Sequence, residues 1–214
     1  MRTPSAPPAS TTVASAAGTI ERVIVLGPSH FVPIRGLALP GESRFETPLG
    51  AIAISPEAAQ ASIKLPQVRV QPEAHTREHS IEVELPFLQV LLGEDFQILP
   101  LAVGEASAEE VAEVLDRVWG GPETLIVISS DLSHFHPYEE ACAIDRATAQ
   151  RILDLDATLD GYEACGARPV NGLLLAARQR DLVPELLDLR NSGDTAGDRS
   201  RVVGYGAFAF REAA

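Results

Sequence analysis

The stretch Arg22-Val-Ile-Val-Leu-Gly27-Pro-Ser-His30 decides how this chain folds. Its β-branched and leucine side chains run without a polar break, so both faces of the extended segment must be covered. Gly27-Pro28 then stops the run and opens a loop carrying Ser29 and His30. Thr124-Leu-Ile-Val-Ile-Ser129 repeats the pattern and runs on into Ser130, Asp131 and His134. Two buried strands that end in reactive side chains predict a covered sheet with its chemistry on the loops at one edge.

The remaining segments fill in around these two. Gly36–Pro40 and Gly50–Ser55 read as short strands around a turn, and Ser55 caps a helix that starts at Pro56. From Glu78 to Leu92, Ile81, Leu85, Leu88 and Leu92 recur at helical spacing, with Pro86 expected to kink or interrupt the helix. Phe96–Val103 is a further strand. Ser107 and Glu110 form a capping box for an amphipathic helix over Ala108–Trp119. Helices over Tyr138–Leu153 and Val170–Gln179 precede closing strands at Leu186–Arg190 and Val202–Phe210. Strands alternating with helices predict an α/β domain in three layers, αβα. One domain is expected over residues 19–214, behind a flexible tail at 1–18 rich in Ser, Ala, Thr and Pro.

Composition narrows the function. An apolar share of 45% in 214 residues supports a folded core. No apolar run is long enough to cross a membrane, and the first residues hold no continuous apolar block of a secretory signal. A cytoplasmic protein is expected. The net charge of −13, with Lys64 as the one lysine, repels the phosphates of nucleic acids and anionic lipids, so neither is an expected partner. Cys142 and Cys165 are expected as free thiols or a ligand rather than a disulfide.

Four clusters carry the candidate chemistry: Gly27–His30, Glu78-His79-Ser80-Ile81-Glu82, Ser129–His134 with His136 beyond it, and Ala164-Cys165-Gly166. Each has an ordinary reading as well. A histidine after a strand is often a hydrogen-bonded loop residue, Asp131 suits a turn, Cys165 suits a small buried space, and Glu78 with Glu82 suits a solvated helix face. Their accumulation at strand ends and helix starts is what points to a site. A hydrolase built on Ser29 or Ser130 with His134 lacks the Gly-x-Ser-x-Gly elbow. Paired-cysteine zinc motifs, His-Glu-x-x-His and glycine-rich nucleotide loops are absent too. A mixed imidazole and thiolate site remains, and that donor set favours iron, copper or zinc over magnesium.

The ordered set Gly27-Pro-Ser-His30, Thr47-Pro-Leu-Gly50, Glu78-His79-Ser80-Ile81-Glu82, Leu85-Pro86-Phe87, Ser129-Ser-Asp131-Leu-Ser-His134, Cys165-Gly166, Asn191-Ser-Gly-Asp194 and Val202-Val-Gly-Tyr205 resembles the Memo family. In prokaryotes that family is called AmmeMemoRadiSam system protein B. The resemblance spans about Glu21 to Phe210 and implies a fold like that of class III extradiol dioxygenases, with a mixed central sheet. By position it implies His30 and Cys165 as metal ligands and His134 with Asp131 in acid/base chemistry. Ser29, His79 and Glu82 are implied as pocket residues. The metal implied is iron or copper. The activity implied is a metal-dependent oxidoreductase or, in the alternative, an accessory or binding protein whose partners are a radical-SAM protein and its associated system proteins. The family's first ligand lies in an upstream Ala-Pro-His-Ala-Gly-Tyr turn, whereas this sequence has no histidine before His30. The resemblance therefore implies that the first strand–helix unit is missing, that one sheet edge is open, and that two of three ligands are present.

Overall fold

The computed structural model describes residues 18–195 and 197–212, so the expected tail lies, except for Gly18, outside the described residues. Its main sheet is built from β1 (Arg22–Pro28), β2 (Leu37–Leu39), β5 (Val68–Val70), β6 (Gln97–Val103) and β7 (Thr124–Ile128). These stand in the order β5-β2-β6-β1-β7. β1 runs parallel to β6 and to β7, with Leu26 level with Leu101 and Ile128. β2 is antiparallel to β6 and parallel to β5, which makes the sheet mixed. β3 (Arg44–Thr47) and β4 (Gly50–Ala53) form a separate hairpin.

Side chains of β1 alternate between two cores, as the pleat requires. Ile24 and Leu26 join Leu99 and Leu101 against α1 (Pro56–Ser62), α4 (Ala108–Val118) and α6 (Ala167–Gln179). Val23 and Val25 join Ile98 on the opposite face, against Ile52, Ile54 and the Leu85 and Leu88 side chains of α3 (Leu85–Leu92). Ile24, Leu26, Leu99 and Leu101 are fully buried, and each such side chain contributes roughly 1.5–3 kcal/mol. Helices thus cover both faces of a central mixed sheet, the layered arrangement expected from the alternation of elements.

A second sheet sets β8 (His134–His136), β10 (Val202–Arg211) and β9 (Val183–Asn191) side by side, under α5 (Tyr138–Leu153). The two sheets meet just past the end of β7. There the Leu132 N–H donates to the Gly204 carbonyl at 2.9 Å, and the Gly204 N–H donates to the Ser133 carbonyl at 2.8 Å. Away from this junction they part. β7 pairs with β1 along one edge and, among the described residues, with no strand along the other. A trough of about 1010 Å³ lies between that edge and β10, lined by Leu125, Ile126, Val127, Phe208 and Phe210 among others.

Some boundaries differ from the sequence reading. The helix expected from Glu78 begins at Leu85, because Pro86 fits only a first turn, and residues 79–84 form turns instead. α6 begins at Ala167 rather than Val170, which likewise puts Pro169 in its first turn. The reading missed β3, β5 and β8, which are three or four residues long and mix charged with apolar side chains. The reading also missed one short helix, α2 (Glu73–Thr76), which follows β5. The capping box formed as expected: Ser107 Oγ accepts the Glu110 N–H, and Glu110 accepts the Ser107 N–H.

Candidate functional site

The loops after β1 and β7 leave the same edge of the sheet, because the two strands are adjacent and parallel. Asp131 lies in the β7 loop, His134 opens β8, and Cys165 ends the loop before α6. The glycine after Cys165 brings these pieces together. A Cβ on Gly166 would lie 2.7 Å from Ser130 Cβ and 2.8 Å from the Ser129 carbonyl oxygen, so a side chain there would force the loops apart. With glycine in place, the Gly166 N–H donates to Ser130 Oγ at 2.9 Å and the Cys165 N–H donates to the Asp131 carbonyl at 3.2 Å.

One ligand atom each from Asp131, His134 and Cys165 then falls within 4.8 Å of the others. His134 Nε2 stands 3.4 Å from Asp131 Oδ2, and Cys165 Sγ accepts the Asp131 N–H at 3.3 Å. All three side chains are half-buried. Burial pushes the Cys165 thiol above its ordinary value, against the hydrogen bonds from the Asp131 N–H and the Ser130 hydroxyl. A cation at the cluster would reverse that balance, since a coordinating thiol is deprotonated. Phe135, in the middle of β8, holds a positive φ of 63°, a conformation that L side chains rarely adopt, and its ring carries Arg201 at 4.9 Å.

His30 belongs to a neighbouring arrangement. Its backbone N–H donates to Glu78 Oε2 at 2.6 Å, and its Nδ1 lies 2.9 Å from Glu78 Oε1. The Glu78 side chain is 3% exposed, against 44% for His30. Burial pushes the Glu78 carboxyl up, but hydrogen bonds from His30 and Ser80 outweigh it and hold the group below its usual range. Residues 78–84 also bridge the two loops: Ser80 Oγ donates to the Pro28 carbonyl at 2.9 Å, and Ser129 Oγ donates to Glu84 at 3.3 Å. Gly27 permits that approach, because a Cβ there would meet Ser80 Oγ at 2.5 Å.

The structure thus draws Asp131, His134 and Cys165 together and leaves His30 outside that group, on the adjoining loop with Glu78. His79 and Glu82 pair with each other at 2.6 Å and are mainly exposed, at 69% and 52%. Ser29 Oγ donates to the Val32 carbonyl and Ser130 Oγ to the Asp131 carbonyl, so both hydroxyls serve the loops. The sequence reading weighed Glu78, with Glu82, as a solvated helix face and did not single out Glu84. Both Glu78 and Glu84 precede α3, which starts at Leu85 with Pro86 in its first turn.

A crystal structure of the uncharacterized protein JW3007 of Escherichia coli K12 superposes with a TM-score of 0.55 at 14% identity, covering 92% of each chain, a likeness of fold. A MEMO1 family protein of Methanopyrus kandleri is 36% identical over 219 residues, 93% of this chain and 75% of the relative. MEMO1 family proteins of Nitrosopumilus maritimus and Sulfolobus acidocaldarius are 34% and 33% identical over 89% and 88% of this chain, and the matches span 74% and 71% of those proteins. No helix among the described residues is long and apolar enough to cross a membrane. A family model described as Memo-like protein matches residues 8–209, and the chain belongs to the Memo family.

Proposed function

We propose that this Memo family protein binds a single non-haem metal ion, iron or copper, at Asp131, His134 and Cys165, and serves as a metal-dependent oxidoreductase. The observation that carries the reading is the convergence of carboxylate, imidazole and thiol donor atoms within 4.8 Å at a half-open position. The donor set fits such an ion. One thiolate and one imidazole suit iron or copper, a carboxylate adds charge, and the exposed side of the cluster leaves room for substrate. A bound ion would supply Lewis acidity and one-electron chemistry.

The protein's own groups prepare the site. The Asp131 N–H donates to Cys165 Sγ, Gly166 sets the spacing, and the Asp131 carboxylate stands 3.4 Å from His134 Nε2. This differs from the roles implied by the resemblance in one respect, since it makes His134 and Asp131 ligands rather than an acid/base pair.

Elemental analysis of the purified chain beside His134→Ala, Cys165→Ala and His30→Ala tests both assignments. Near-stoichiometric iron or copper in the parent, lost in the Cys165 and His134 variants, supports the three-donor site. Retention of metal in His134→Ala with loss of activity would return His134 to proton transfer. Negligible metal in the parent would sink the enzyme reading and leave the accessory or binding role.

A further inference from the structure

The Glu78–His30 pair carries an inference beyond the three-donor cluster. Glu78 Oε2 accepts the His30 N–H at 2.6 Å, and Oε1 accepts the N–H groups of His79 and Ser80, each at 3.1 Å. Backbone N–H groups can only donate, so both carboxylate oxygens act as acceptors. His30 Nδ1, 2.9 Å from Oε1, must then be the ring nitrogen that bears the proton. Whenever the ring is neutral, Nε2 is left with a bare lone pair. The carboxylate is buried and the imidazole is exposed, so the pair is oriented from its inner side while its outer nitrogen faces solvent.

We propose that Glu78 is a positioning residue that locks His30 in the Nδ1–H tautomer and presents Nε2 as a preformed ligand or base at the sheet edge bearing Asp131, His134 and Cys165. The proposal rests on the reading that this edge is the working site. Two contacts on residues 78–84 tie the pair to it. Ser80 holds the Pro28 carbonyl in the His30 loop, and Glu84 holds Ser129 in the Asp131 loop. A free histidine side chain favours the opposite tautomer, with the proton on Nε2. Glu78 therefore converts His30 from a residue that must move a proton before it can donate a lone pair into one already set to donate.

Ring-nitrogen NMR of chelator-treated protein carrying ¹⁵N-labelled histidine, recorded in alkaline solution, reads the tautomer directly. His30 is assigned from the spectrum of His30→Ala. The expected parent spectrum has a protonated Nδ1 and a bare Nε2, and Glu78→Ala moves the proton to Nε2. A parent with the proton on Nε2, or a folded Glu78→Ala protein with an unchanged tautomer, overturns the proposal. If Glu78→Ala does not fold, the parent spectrum alone still decides. Failure of the parent to take up Fe(II) or copper would defeat the metal reading, while the ring nitrogens would still report on Glu78.

Discussion

Cys165 Sγ accepts the backbone N–H of Asp131 at 3.3 Å, across 34 residues of sequence. The contact fixes the thiol at the end of β7 while burial raises it above its ordinary value, a combination that has a measurable pH signature.

Alkylation of the metal-free protein by iodoacetamide should show it. Because burial raises the Cys165 thiol above its ordinary value, its reaction should be slow at neutral pH and gain speed only above the usual thiol range. A Cys142→Ala background isolates the signal. Metal loading should protect Cys165, and a rate at neutral pH equal to that of free cysteine would contradict the assigned environment.

Gly166→Ala should separate the two loops. Its Cβ would fall 2.7 Å from Ser130 Cβ, a clash with a short side chain beside backbone that can only shift. Overpacking of this kind costs about 1–3 kcal/mol. Thermal unfolding should show that loss, and metal retention should fall with it. A variant with unchanged melting and unchanged metal would show that the close approach is not needed.

Glu84 and Glu78 should respond to pH in opposite directions. Burial raises the Glu84 carboxyl, with the Asp131 charge adding to it against the Ser129 hydrogen bond. Its folded value thus exceeds its unfolded one. Stability is lost as pH rises from the unfolded value through the folded one, and the cost persists at neutral pH. Glu84→Gln should therefore melt higher at neutral pH and lose that advantage in acid. Glu78 is lowered in the fold, so its contribution is present at neutral pH and fades as pH falls through its folded value. Melting curves of both Gln variants across the acid range compare the two slopes.

Core position should set the cost of truncation. Leu101 is fully buried in the centre of the sheet, and Leu101→Ala should cost about 2–5 kcal/mol by denaturant unfolding. Ile126 lies on half-buried β7 and lines the trough, where solvent already reaches. Ile126→Ala should cost clearly less. Equal losses would mean that the trough is closed in solution.

The sequence was legible where side-chain pattern and backbone demand agree. β1 and β7 are continuous apolar runs, and both are strands near their expected bounds. Ser107 with Glu110 announces α4, and the capping box is there. Pro86 was harder to read, because a proline among helically spaced leucines is compatible with either a kink or a start. That choice alone decides whether Glu78 is a solvated helix residue or a buried clamp on His30. The grouping of Asp131 with Cys165 was not readable from spacing. It depends on a glycine contact between loops, and only the packed fold reveals it. The expectation of His30 and Cys165 as one ligand pair came from the resemblance, whereas the geometry groups Cys165 with Asp131 and His134.

The unpaired edge of β7 has a consequence for colloidal behaviour. Five residues of half-buried, mainly apolar strand face a trough with one row of backbone hydrogen-bonding groups unmatched by a neighbouring strand among the described residues. Such an edge attracts copies of itself. The opposing influence is long-range repulsion from the net charge of −13 at neutral pH, which keeps molecules apart before their edges can meet. That repulsion vanishes near the isoelectric point of about 4.7, and salt shortens its reach. Solutions should cloud on mild acidification or in concentrated salt while the fold is still intact, and a lysine in place of Val127 should delay clouding by placing a charge on the edge itself.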